Sequence, residues 1–416
     1  MKIAHLAVAA LAALLPAAAL HAADNPEAFK FEGKISREVL ENYLERAVTM
    51  MELGTDKKFL NDAAYPLKEE DLRFIRDTGA KFIGRAIYRW GGEEALSDPE
   101  FLKSAERLFA KIHESDPDIV IQGAAFEAVY PGVGKVKVPA WAFEEMGMPP
   151  EDRNFSYEKM LFEDGTFVGH WGRGSVPDIT RPETQLWFTY LIGSYVKIGV
   201  EAIHLGQVKL MGARDPDLAV WESFIAKMRK FADKNARRGK VIFDAHTPDG
   251  GLVRNGKSLL DFNSFPLRIR EVETSPMEGE LRVGHLDSIY GRSAGCESPD
   301  GWKCDSLPYL VELDNFGISK HPGTADTGDH FIWGYDEISW FYLQTPEARR
   351  KWLAYAFDWI KKNDKNGHLQ MPGSRVVTLG KGRRLTSRAV APSAEIPHGM
   401  DVEGAIRQIW EAHPVR

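Results

Sequence analysis

The stretch that most restricts the fold is Pro308–Gly317, PYLVELDNFG. Tyr309, Leu310, Val311 and Leu313 predict a short buried strand, and two acids arrive as the apolar run ends. Side chains alternate across a strand, so Tyr309, Val311 and Leu313 share one face while Leu310, Glu312 and Asp314 share the other. An apolar face, two carboxylates at the C-terminal end of the other face and a following glycine fit the rim of a barrel of parallel strands, where strand ends and loops gather polar groups.

The remainder of the chain repeats strand and helix. Ser36–Leu53 has the capping residue and apolar spacing of a helix. Lys68–Thr78 is a second helix, stopped by Gly79. Ala80–Tyr88 reads as the first strand, and Asp98–His113 as a helix with Pro99 in its first turn. Asp118–Phe126 is the second strand, Pro182–Ile198 a helix, Val200–Gln207 the third strand, Asp215–Lys234 a helix and Lys240–His246 the fourth strand. Leu281–Asp287, Tyr309–Asp314 and His330–Gly334 supply strands five to seven. Thr345–Lys362 is a helix before the eighth strand, His368–Met371, and Val402–His413 a final one. Eight strands with mostly helical connections predict a single α/β domain, a (β/α)8 TIM-type barrel over residues 24–416. The long irregular segment Tyr130–Arg181 is an insertion after strand two, lying over the strand ends. A doubly wound sheet is the alternative, but no glycine-rich phosphate fingerprint follows the first strand.

At the N-terminus Lys2, the apolar run Leu6–Leu20 and small residues at Ala22 and Ala23 predict a signal peptide over residues 1–23, hence a secreted or periplasmic protein with no membrane anchor after removal. In that oxidising setting Cys296 and Cys304, at the two ends of CESPDGWKC, predict a disulfide that stiffens the loop carrying Trp302. A net charge of −7 argues against a nucleic-acid partner. The sequence carries no signal for an oligomeric state and none for a cofactor.

Polar groups fall at nearly every expected strand end: Arg85, Tyr88, Glu127, His204, Gln207, Asp244, His246, His285, Glu312, Asp314, Glu337, Gln370 and Arg375. In VIFDAH, Ile242, Asp244 and His246 share the inward face, which makes Asp244 the natural partner for Glu312 or Asp314. Two carboxyls facing each other across a mouth suit glycoside hydrolysis, one protonating the leaving oxygen and the other attacking or activating water. Their separation decides the outcome, roughly 5–5.5 Å for retention and about 6.5–9.5 Å for inversion. Glu127 is a third candidate after the small residues Gly123–Ala125, and Glu337 a fourth, although an acid at either place also suits a helix start. Trp90, Trp302 and Trp333, with Tyr88, would stack on sugar rings. His204, His246 and His285 with Asp244 could instead bind a divalent metal, but no HExxH spacing is present, and hydroxyl donors or core histidines are favoured, so no metal is assigned.

From about 80 to 375 the chain resembles the broad (β/α)8 glycoside-hydrolase superfamily. It departs from the clan with an Asn-Glu pair after strand four, and it lacks the chitinase-like DxxDxDxE signature. An aspartate ending strand four with an acid ending strand six is similar to the clan of α-galactosidases and α-glucosidases. That resemblance implies that Asp244 attacks and Asp314 protonates. The expectation is an exported glycoside hydrolase acting on a poly- or oligosaccharide, retaining if the pair is close. The alternatives are a metal-dependent hydrolase using the strand-end histidines and a non-catalytic carbohydrate-binding barrel.

Overall fold

A computed structural model describes residues 25–62, 67–247, 250–286, 294–326 and 330–416. The expected signal peptide and Asp287 lie outside them. Eight parallel strands form the core: β1 (Ala47–Met50), β2 (Phe82–Tyr88), β3 (Val120–Ala124), β4 (Ala202–His204), β5 (Ile242–Asp244), β6 (Asn263–Pro266), β7 (Tyr309–Glu312) and β8 (Gly367–Leu379). They pair in the order β5-β4-β3-β2-β1-β8-β7-β6. A parallel bridge between His246 and Ser264 joins β5 to β6 and closes the ring. The protein is a (β/α)8 barrel. A ninth strand, β9 (Arg383–Arg388), runs antiparallel to the long β8.

Local chemistry sets the elements. The helix α1 (Arg37–Glu45) starts where the Ser36 hydroxyl accepts from Val39 N. The helix α2 (Lys68–Thr78) stops at Gly79, whose φ of 73° suits a residue without Cβ. The helix α3 (Pro99–Ser115) is capped by Asp98 and has proline in its first turn. The outer layer continues with α4 (Pro182–Lys197), α5 (Ala219–Asn235), α6 (Glu337–Leu343), α7 (Pro346–Asn363) and α8 (Glu403–Ala412). Among the described residues no helix stands between β5 and β6 or between β6 and β7.

Two layers fill the barrel. At the N-terminal end Ala47, Phe82, Val120, Ala202, Ile242, Phe262 and Leu310 form one apolar cluster with Leu40, Tyr43 and Leu44 of α1, so α1 plugs the bottom. The outward residues of the same strands, among them Ile83, Ile121, Ile203, Phe243, Tyr309 and Val311, join the larger core beneath the helices. The inward layer nearer the C-terminal end is polar, and the site is built there.

Several expectations are corrected. The predicted helix Ser36–Leu53 divides into α1 and β1; Ala47–Met50 is buried along its whole length, and such a run fits helix and strand periods alike. β6 has the sequence NSFP, whose inward serine and terminal proline give no strand signal. Leu281–Leu286 contains turns, and Ile332–Tyr335 is a tight turn with Trp333 and Gly334 at φ 51° and 77°, so neither predicted strand forms. Because β1 precedes them, Asp244 ends β5 and Glu312 ends β7, and the insertion follows β3. Finally, Cys296 and Cys304 are free thiols on paired two-residue strands. The Cys304 thiol donates to the Cys296 carbonyl at 3.7 Å, and burial, with the neighbouring Cys304 thiol, pushes the Cys296 thiol up to about 12.

Candidate functional site

Asp244, on β5, is 1% exposed and fully bonded. Its Oδ1 accepts from Gln122 Nε2 at 2.7 Å, and its Oδ2 lies 2.7 Å from His204 Nδ1 and 2.8 Å from Ser264 Oγ. Burial pushes this carboxyl up to about 7, against the pull of Ser264, Arg85 and His246. Burial also drives His204 well below the ordinary imidazole value, and the charges of Arg85 and His246 add to the effect. His204 is therefore a neutral ring, packed 5.7 Å from Phe126 and 4.8 Å from His246.

Glu312, on β7, is held by two arginines. Arg85 reaches Oε1 from β2, and Arg375 Nη1 donates to Oε2 at 3.0 Å. Arg85 keeps φ at 57°, left-handed for a non-glycine residue. A register break between Ile83 and Ile87 accompanies it and turns its side chain inward. Burial raises Glu312, but the two guanidinium groups outweigh it and hold the carboxyl at about 2.

Asp314 stands one inward step higher, at the rim. Its Oδ1 accepts both from Arg375 Nη2 at 3.0 Å and from Asn315 N at 2.8 Å. Burial raises it, yet Arg375, His246 and Arg85 hold it well below the usual carboxylate range. Its side chain is 17% exposed, against 3% for Glu312 and 1% for Asp244. Asp314 is thus an ionised carboxylate open to the mouth.

Glu127 follows β3, which lies four strands from β7 in either direction and so diametrically opposite. Both its oxygens are occupied by one residue: Gln207 N donates to Oε2 at 2.9 Å and Gln207 Nε2 to Oε1 at 3.0 Å. Gly206 makes this possible, since a Cβ there would stand 1.9 Å from Glu127 Oε2. The insertion adds an aromatic wall on the same side. Trp171 donates its indole N–H to the Glu127 carbonyl at 3.0 Å, and its ring lies 5.2 Å from Trp90, which in turn edges Phe126. Tyr88 packs against Phe126 and donates to Asp62.

Other sequence candidates go elsewhere. Glu337 is wholly buried on Arg268 at 2.6 Å, and burial pushes it up to about 8 against that cation. Gln370 lies inside the barrel over Gly84. His285 lies beside Ile269 and Arg270 after β6, and burial with Arg270 lowers it. It does not join His204, Asp244 and His246; among the described residues no group of three or more His, Cys, Asp or Glu side chains is arranged to hold a metal. Trp302 belongs to the bottom, where its indole N–H donates to Ile35 O at 3.3 Å and it packs on the plug. Trp333 is buried, its indole N–H on Glu278 O at 2.7 Å. Neither is placed to stack on a sugar at the mouth. Gln122, Ser264 and Arg268 were missed. A lone amide in the apolar run DIVIQGAAF was the available signal for Gln122; Ser264 sits on the unrecognised strand.

Asp244 on β5 and Asp314 on β7 do not reproduce the strand-four and strand-six placement, so the likeness to the α-galactosidase clan does not carry over.

No protein-family profile and no curated protein matches the sequence. Among solved structures, the acarbose-soaked debranching enzyme of Nostoc punctiforme is 12% identical, with 88% of this chain and 81% of that chain covered and a TM-score of 0.41. A trehalulose synthase is 12% identical over 80% of this chain and 65% of that one, TM-score 0.41. A GH27 β-L-arabinopyranosidase from Geobacillus stearothermophilus is 11% identical over 47% of each chain, TM-score 0.27. Against the native form of the Nostoc enzyme the chain spans 52% of its length, TM-score 0.33.

Proposed function

We propose that this barrel is a glycoside hydrolase acting on a poly- or oligosaccharide, with Asp314 and Glu127 as the two carboxyls that flank the scissile bond. The observation that carries the reading is Asp314: ionised, open to the mouth and, among the described residues, bonded only through Oδ1 to Arg375 and Asn315. Asp244 and Glu312 have both oxygens engaged by buried donors from several strands, which suits positioning, whereas Glu127 has both oxygens on the single residue Gln207 beside the Trp171 wall. This exchanges the roles expected from sequence, since Asp314 rather than Asp244 is the anionic partner.

In the reaction, the bond between the anomeric carbon and the leaving oxygen breaks. Glu127 gives its proton to that oxygen, while Asp314 attacks the anomeric carbon or takes a proton from the water that does. The net change is addition of H to the leaving oxygen and OH to the anomeric carbon. Trp90, Trp171 and Phe126 offer apolar faces for the sugar's CH groups. His246 and the neutral His204 face the same space as hydroxyl partners. Residues Leu6–Leu20 fit export of such an enzyme, which N-terminal sequencing of the secreted chain would test.

The direct experiment is a panel of α- and β-linked glycans and aryl glycosides, with reducing sugar and free phenol as readouts, run on wild type, Asp314→Asn and Glu127→Gln. Turnover by wild type and loss in both variants support the reading; no turnover of any substrate contradicts it. Proton NMR of the first product anomer then gives retention or inversion.

A further inference from the structure

Two residues after Asp314 stands an aromatic that the barrel does not bury. Phe316 is 39% exposed, among the few large apolar side chains left open among the described residues. Its ring lies 5.2 Å from that of Phe331, and the Arg268 guanidinium sits 4.9 Å from its centroid. Beyond Phe331 a hollow of about 460 Å³ opens, lined also by Ser319, Lys320, His321, Thr324 and Asp326. An apolar ring face bordered by hydroxyl, ammonium, imidazole and carboxylate groups matches a sugar ring, which is apolar across its CH face and polar at its edge.

The pair's position adds direction. Trp90 and Trp171 stand over the ends of β2 and β3, with Trp171 fixed to the Glu127 carbonyl. Phe316 stands beyond β7, across the barrel from β3. Aromatic surfaces therefore lie on both flanks of Asp314. A site that removes single terminal units needs one walled flank; two open aromatic flanks suit a chain lying across the mouth.

We propose that Phe316, Phe331 and the hollow beside them form a sugar-binding subsite on the flank opposite Trp90 and Trp171, so that the protein cuts a glycan chain internally. The inference rests on the glycoside-hydrolase reading given above. Cleavage there breaks one anomeric carbon–oxygen bond, with water supplying H to one fragment and OH to the other.

The test uses the full chain and 2-aminobenzamide-labelled oligosaccharides, two to six units long, of the glycan that wild type cleaves in the panel, beside its aryl monoglycoside. Wild type is expected to cut the hexamer at an internal bond. Phe316→Ala should lower kcat/KM on the hexamer about tenfold more than on the aryl glycoside and move the cut along the chain. Trp171→Ala should move it the opposite way. Release of single terminal units by wild type, or an equal effect of Phe316→Ala on long and short substrates, overturns the subsite while leaving the hydrolase reading intact. No turnover of any substrate overturns both.

Discussion

Arg375 Nη2 donates to Asp314 Oδ1 at 3.0 Å from a guanidinium that is itself 1% exposed. Its other arm, Nη1, donates to Glu312 Oε2, also at 3.0 Å. One buried fork therefore sets the ionisation of the rim carboxylate and ties it to the layer below. A lysine has no such planar fork. Arg375→Lys should raise the Asp314 pKa, so the acidic limb of the kcat/KM profile moves to higher pH while the basic limb stays. Arg375→Met, which leaves two carboxylates short of a partner, should cost about 3–5 kcal/mol in urea unfolding.

Stability should respond to acid and to base through different carboxyls. Glu312 is depressed to about 2 in the folded protein. Its stabilisation is complete above the unfolded glutamate value and is lost as pH falls from the usual carboxylate range through about 2. Asp244 is raised to about 7, so the folded state holds its proton more tightly. Its contribution is complete below the unfolded aspartate value and declines as pH rises through about 7. Urea unfolding across pH 3–8 should show this decline, and Asp244→Asn should flatten it; an unchanged slope would rule out Asp244 as its source.

Gly206 lies at φ 63°, and an added Cβ would stand 1.9 Å from Glu127 Oε2. Gly206→Ala should cost about 1–2 kcal/mol from the left-handed backbone alone. Because it also dislodges Glu127, kcat should fall further than the stability loss accounts for, a comparison that kinetics and thermal unfolding on one preparation would settle.

The sequence was most readable where a strand has one apolar and one polar face. Leu310, Glu312 and Asp314 point inward and Tyr309 and Val311 outward as alternation requires, and Ile242, Asp244 and His246 follow the same rule on β5. It was least readable where that contrast vanishes. Ala47–Met50 is buried on both faces and resembles a helix continuation; Asn263–Pro266 carries too few branched residues to announce a strand. Trp302 and Trp333 looked like loop aromatics, but only tertiary packing puts one at the bottom plug and buries the other with its indole N–H on Glu278 O. Neutral groups such as Gln122 and Ser264 escaped because a single amide or hydroxyl has no motif; their meaning comes from the carboxylate they hold.

Glu127 should be required in proportion to the basicity of the leaving group. Glu127→Gln is expected to lower kcat on the natural glycan by about 10²–10⁴. It should lower kcat far less on a dinitrophenyl glycoside, whose phenolate leaves without a proton. Equal losses on both substrates would assign the acid to another residue.

Whether Asp314 is the ionised carboxylate at the reacting carbon is decided by kcat for Asp314→Asn on the best substrate of the panel, alongside far-UV circular dichroism. The expected result is a fall of about a thousandfold or more with an unchanged spectrum. Activity within tenfold of wild type, in a folded variant, would contradict it.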